Sequence, residues 1–247
     1  MKALPVRRAH LIAAGRYHDM DFARLELLKL LGELPSVRTS VASSYGDVES
    51  LGAADLLVTY TCDFAPDAAQ TAALRAFLER GGRWIALHGT NAVLDFLADG
   101  RIGVEHGHDD FMDLIGTRFL AHPPIGPFQV EVDDPDHPLT AGIEPFEVID
   151  ELYLFEARAE VQTLLHTSFK GSCAPFAAAD WDEDRAPVMY LHPVGAGSVL
   201  YLSLAHCRSH YDPSPSGAFI PHPSRCAWNY PVYYELLRRG LRWGLQL

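Results

Sequence analysis

Three histidines in this chain each follow a short apolar run. His18 comes just after Ala9-His-Leu-Ile-Ala-Ala-Gly15, His88 after Arg83-Trp-Ile-Ala-Leu87, and His206 after Leu200-Tyr-Leu-Ser-Leu204. Runs of this length and composition read as buried strands. If the strands are parallel, the three imidazoles meet at one edge of a sheet although far apart in sequence, and that edge is where open α/β sheets bind ligands. A lone histidine is more often a satisfied structural residue. Three at equivalent topological positions are read as a site, where imidazole serves as general acid–base group or metal ligand. A second constellation is Asp150-Glu151-Leu-Tyr153. On a continuous strand Asp150 faces one way, Glu151 and Tyr153 the other. A carboxylate beside a phenol can position a sugar hydroxyl, ligate a metal or act as a base; taken alone, an edge strand with its polar face in water accounts for it equally. His122-Pro123-Pro124 adds an imidazole on a proline-stiffened loop.

The candidate acid–base residues are therefore His18, His88, Glu151 and His206. The candidate substrate-binding residues are Asp19, Asp63, Thr90, Asn91, His122, Asp150 and Tyr153. A sugar site needs such polar density, because a buried polar group left without a partner costs about 1–3 kcal/mol. His88, Glu151 and His206 also form a ligand set for a divalent metal such as zinc, which in catalytic sites combines protein ligands with an open position. Trp181 and Trp228 are candidates to stack on a sugar ring, although a core tryptophan is the commoner finding.

These residues need a frame. Ala9–Gly15, Val37–Ala42, Asp55–Tyr60 and Arg83–Leu87 read as strands, separated by helices over Phe22–Leu34 and Pro66–Arg80. Pro66 suits a first helical position and Gly81 a left-handed C′ position. Asn91–Ala98 reads as a short helix after the polar turn at His88. Alternating strands and helices predict βαβ units and a parallel sheet, doubly wound with helices on both faces. The middle of the chain changes to a β-rich elaboration. It has a short helix at Asp109–Ile115, extended runs at Phe128–Asp133, Glu147–Tyr153 and Val161–His166, and a hairpin of Pro187–His192 with Ser198–Leu204. Asp180–Arg185 reads as a loop, as does the Pro- and His-rich stretch Pro213–Arg225. The closing helix, Val232–Leu245, has an apolar face that either covers the sheet or forms a subunit contact in a homo-oligomer; the sheet is favoured. No repeat or linker divides the chain, so residues 1–247 are read as one domain.

Composition narrows the function. The 247 residues are 48% hydrophobic and 21% charged, with a net charge of −12. That acidity argues against a nucleic-acid partner and against docking on anionic membranes. No apolar run approaches the ~18 residues of a spanning helix. Cys62, Cys173, Cys207 and Cys226 lack CxxC spacing and disulfide-scaffold density, so a reducing, cytoplasmic setting is expected. GxSxG, P-loop, GxGxxG and HExxH motifs are missing. The sharp turn at His88-Gly89 resembles the elbow of class I glutamine amidotransferases, but Leu87 or His88 stands where those carry cysteine, which excludes glutamine hydrolysis by that route.

Several motifs taken together resemble the ThuA-like family, named for trehalose utilisation, within the glutamine-amidotransferase-like superfamily. They are Tyr17-His18-Asp19, Gly81-Gly82 through Leu87-His88-Gly89-Thr90, Leu114-Ile-Gly116 with Phe119 and His122-Pro123, His137-Pro138-Leu-Thr140, Asp150-Glu151-Leu-Tyr153, Gly195-Ala-Gly-Ser-Val-Leu-Tyr201 and Leu204-Ala-His206. They run in the family's order over nearly the whole length. The chain departs from the family in the strand before the Gly195 turn, where Pro187-Val-Met-Tyr190 replaces the usual Pro-Val/Ile-x-Trp. The resemblance implies a flavodoxin-like α/β fold and a role in sugar metabolism, often with oxidised (3-keto) disaccharides. The expected partner is a small carbohydrate, acted on by isomerisation, hydration or bond cleavage; the alternative is a sugar-binding module without catalysis.

Overall fold

A computed structural model describes residues 6–209 and 223–247. The first part of the chain alternates β1 (Arg7–Gly15), α1 (Met20–Gly32), β2 (Val37–Ala42), α2 (Val48–Ala53), β3 (Leu56–Cys62), α3 (Ala68–Glu79) and β4 (Arg83–Leu87). A 3-10 turn over His88–Asn91 follows. Then come a small hairpin of β5 (Leu94–Phe96) and β6 (Ile102–Val104), α4 (Asp109–Ile115), β7 (Thr117–Ala121), β8 (Gly126–Val132), β9 (Phe146–Asp150) and β10 (Leu154–Ala157). The chain returns through β11 (Gln162–Ser172), β12 (Asp180–Val194) and β13 (Gly197–Leu202), and closes with α5 (Pro231–Leu245).

Nine strands form one sheet in the order β2-β1-β3-β4-β13-β12-β11-β8-β9. Pairing is parallel from β2 to β13 and antiparallel beyond, where the elaboration joins the edge. The parallel strands alternate their side chains between two apolar layers, as a strand buried on both faces must. Leu11, Ala13, Val58, Ile85 and Leu200 pack with α1 and α5. Ile12, Leu57, Trp84, Val199 and Tyr201 pack with α3 and α4. Leu236, Leu237, Leu241 and Leu245 of α5 all belong to the first layer, so the closing helix covers the sheet. No helix among the described residues is long and apolar enough to cross a membrane. All four cysteines are free and buried.

Local chemistry explains where the sequence expectations shift. The α3 helix begins after Pro66: Asp67 is its N-cap, accepting from Gln70 N at 2.8 Å while the Gln70 side chain accepts from Asp67 N at 3.1 Å. This capping box satisfies two orphan donors and overrides proline as the start. Gly81 does sit past the helix end with φ 99°. The helix expected over 91–98 does not form. Ala92 C=O accepts from Asp63 N, and Leu94 N donates to Asp63 Oδ1, so the end of β3 takes the groups that a helix would have paired internally. Asp180–Arg185 is the first part of β12, not a loop; residues 180–183 ladder against Phe169–Ser172. The run Glu147–Tyr153 stops being a strand at Asp150. Most of the Pro213–Arg225 stretch lies outside the described residues.

Where the parallel strands end, the backbone is unusual. Tyr17, Asp63, His88 and Ala205, which follow β1, β3, β4 and β13, have φ of 70°, 50°, 46° and 133°. Non-glycine residues in this region cost about 1–3 kcal/mol each and persist where their surroundings over-determine them. At His88 that determination is visible. Tyr201 Oη donates to the His88 carbonyl at 2.6 Å, and Gly89 lets the turn lie against β3. A Cβ on Gly89 would stand 2.6 Å from Cys62 Cβ and 2.8 Å from Thr61 O. Gly89→Ala is therefore expected to lower unfolding stability by about 1–3 kcal/mol. Gly52→Ala, on a helix with open space around its Cα, should instead raise it by about 0.5–1 kcal/mol. Urea titrations of both variants check the pair, and an unchanged midpoint for Gly89→Ala would contradict this packing.

Candidate active site

The strand ends bring His18, His88 and His206 together, and Glu151 joins them from the turn after β9. One ligand atom from each of the four lies within 4.8 Å of the other three, and all four residues are buried. His18 Nε2 is 3.0 Å from His88 Nε2. Glu151 Oε2 lies 3.1 Å from His206 Nδ1, 3.4 Å from His88 Nε2 and 3.9 Å from His18 Nε2. The other carboxylate oxygen, Oε1, is 3.3 Å from His122 Nε2.

Tautomers follow from partners that can only accept. His88 Nδ1–H donates to the Ser203 carbonyl at 2.6 Å, which leaves Nε2 of the neutral ring as a lone pair facing the cluster. His18 Nδ1 and both ring nitrogens of His206 are buried without a hydrogen bond among the described residues. Burial drives the His18 imidazole well below its ordinary value, with His88 and His206 adding to that effect. Burial would raise Glu151, but His122 and His206 beside it, together with His18, hold its carboxyl well below the usual range.

Asp150 fixes this arrangement from behind. Its Oδ1 accepts from Glu151 N at 2.7 Å and His206 N at 3.1 Å; its Oδ2 accepts from Ala205 N at 3.0 Å and Ala227 N at 3.2 Å. The side chain is fully buried, and burial pushes its carboxyl above the usual value against the pull of those donors. Asp150 is thus occupied by backbone rather than free for substrate. The same holds for most of the other polar candidates. Asp19 caps α1 through Phe22 N and ion-pairs with Arg225 at 3.1 Å. Asp63 pairs with Arg16 at 2.8 Å. Thr90 donates to Leu87 O, and Asn91 bridges Thr117 Oγ1 and Tyr201 Oη beneath the turn.

His122 and Tyr153 are the two substrate candidates that reach open space. They line a cavity of about 360 Å³ together with His18, Glu151, Arg16, Tyr17, Cys62, Phe119, Phe176 and Arg208. Tyr153 stacks on His88 with ring centroids 4.3 Å apart. His122 Nδ1 is 2.7 Å from the Pro123 carbonyl, so the loop holds the ring with Nε2 toward Glu151. Neither tryptophan lines the cavity: Trp228 is buried and donates to Ala205 O, and Trp181 donates to Ala178 O. Phe119 and Phe176 supply the aromatic wall instead. Phe119 lies in the family-like motif, but Phe176 had no sequence signal beyond its type. A larger concavity of about 450 Å³, over β8 and β11, contains Gln129, His166 and Lys170 but none of the four clustered residues.

The ThuA family model, described as trehalose utilisation, matches residues 14–216. Among solved structures, a ThuA-like protein from Parabacteroides merdae superposes with a TM-score of 0.71 at 14% identity, over 98% of this chain and 90% of that one. A ThuA-like protein from Bacteroides uniformis gives 0.67 at 17% identity, over 99% and 94%. The cold-adapted β-galactosidase of Rahnella sp. R3 gives 0.58 at 10% identity, over 98% of this chain but 32% of that enzyme. At these identities the likeness is one of fold. No curated protein matches in sequence.

Asp150→Asn tests the frame: the amide must turn N–H toward at least one pair of backbone donors. Unfolding stability is expected to fall by about 1–3 kcal/mol, the cost of a buried group left unpaired. A wild-type urea midpoint would show that Asp150 does not organise the site.

Proposed function

The chain belongs to the ThuA, trehalose-utilisation family, and from that premise we propose that it is a carbohydrate enzyme working on a keto-sugar at the strand-end cluster. The parallel strand order β2-β1-β3-β4-β13 supports a flavodoxin-like reading, since it repeats the 2-1-3-4-5 order whose ligands sit beyond the carboxyl ends. The observation that carries the proposal is the Glu151–His122 pair at the cavity wall, backed by three buried imidazoles. The reaction is proton transfer at the carbon next to the sugar carbonyl. The Glu151 Oε1–His122 Nε2 pair takes that proton, and His18, the imidazole of the cluster that lines the cavity, stands toward the oxygen on which negative charge develops. In a 3-keto sugar the enolate formed by loss of the C2 proton can be reprotonated, giving isomerisation. It can instead form a C1=C2 double bond as the C1–O bond breaks, the departing glycosidic oxygen taking the proton back from the Glu151–His122 pair, giving cleavage. Tyr153, Phe119 and Phe176 form the wall for the ring, and the remaining polar candidates hold the frame.

Solvent-deuterium exchange into a 3-keto-glucoside, followed by NMR, tests this step without requiring the final product to be known. Wild-type protein is expected to catalyse exchange next to the carbonyl, and His122→Ala to slow it by about 10²–10⁴-fold, the range for loss of a general acid–base group. Exchange in His122→Ala at the wild-type rate would remove the pair from the mechanism. Binding of the sugar without any exchange in wild-type protein would favour a binding module instead.

A further inference from the structure

We propose that His18, His88, His206 and Glu151 bind one divalent transition metal of the zinc type, with His18 completing a ligand set of three imidazoles and a carboxylate. The inference rests on the reading of this cluster as the reacting centre and deepens it. Four ligands about 2.0–2.2 Å from a tetrahedral ion stand about 3.3–3.6 Å apart. Four of the separations, 3.0, 3.1, 3.4 and 3.9 Å, bracket that spacing, and all of them lie within 4.8 Å.

Hydrogen bonding alone does not account for the cluster. His88 points a lone pair inward because its other nitrogen donates to Ser203 O. This is the arrangement by which a carbonyl fixes the tautomer of a metal-ligating imidazole. His206 Nδ1 lies 3.1 Å from Glu151 Oε2 yet makes no hydrogen bond, and its Nε2 has no partner either. His206 is fully buried, so bulk solvent does not reach either nitrogen. A hydrogen bond between His18 Nε2 and His88 Nε2 at 3.0 Å serves those two nitrogens but not His206, whereas a cation takes a lone pair from each of the three rings. Imidazole with carboxylate suits zinc and its first-row neighbours. His18 and Glu151 line the cavity, while His88 and His206 lie behind them. An ion held here is therefore open to substrate on one side. By taking a fifth ligand there it would act as a Lewis acid on the sugar carbonyl. Glu151 keeps Oε1 for His122.

The test uses the full chain, purified without an affinity tag, stripped with a chelator and dialysed against Zn²⁺. Mass spectrometry is expected to find about one zinc per chain, as for a single site of four protein ligands. Added Zn²⁺ should raise the melting temperature, and Co²⁺ in its place should give visible d–d bands. Glu151→Gln, close in volume, should weaken zinc binding by at least about 10–100-fold, the loss typical even of outer-shell changes. His137→Ala, on a distant turn, should bind like wild type. Stripped wild-type protein that takes up no zinc above the buffer background overturns the proposal. So does a folded Glu151→Gln that holds zinc as tightly as wild type. The two readings fail separately: zinc uptake without keto-sugar exchange removes the function and keeps the metal site, and exchange by protein that takes up no zinc does the reverse.

Discussion

The site depends on one buried carboxylate. Asp150 accepts backbone N–H bonds from Glu151, Ala205, His206 and Ala227, and so ties together the turn after β9, the segment beyond β13 and the turn leading into α5. Hydrogen bonds to an ionised acceptor are about twice as strong as neutral ones, and here none competes with water. Two residues of the cluster, Glu151 and His206, hang directly from this clasp. The Ala205 carbonyl on the same segment is held from the other side by Tyr60 Oη and Trp228 Nε1, each at 2.9 Å. The imidazoles and the carboxylate are thus placed by backbone that cannot readily shift.

That precision is set against a rigid support. The parallel strands are apolar on both faces, and close-packed interiors transmit strain rather than absorb it. Left-handed residues at four successive strand ends are the visible result: the sheet carries side chains to one edge at angles that relaxed backbone would not give. The cavity side is different in kind. Its wall is aromatic and its polar groups are few, which suits a ring held by its faces and read at one oxygen.

Much of this was legible from residue order alone. Apolar runs ending in histidine predicted the convergence of His18, His88 and His206, because parallel strands must end at the same edge. Glu151 was legible from its neighbours in the Asp150–Tyr153 motif, although not from strand geometry, since the strand stops at Asp150. The roles of Asp19, Asp63, Thr90, Asn91 and Asp150 were not legible. A short polar side chain can serve ligand or backbone, and only the fold decides which donors reach it. The helix expected at 91–98 failed for the same reason: Asp63, about 30 residues earlier, claims its backbone groups. Trp228 looked like a stacking platform by type, but its indole N–H and rings are spent on Ala205 O, Tyr60 and Tyr233.

The central claim is that substrate meets the buried cluster itself. The direct measurement is the imidazole ¹⁵N spectrum of histidine-labelled protein during titration with a 3-keto disaccharide. The account predicts that signals of His18, His88, His206 and His122 move together, while His10, His166 and His192 stay in place. A cluster that stays unchanged at saturation while His166 responds would put the sugar in the groove over β8 and β11, and would contradict the account.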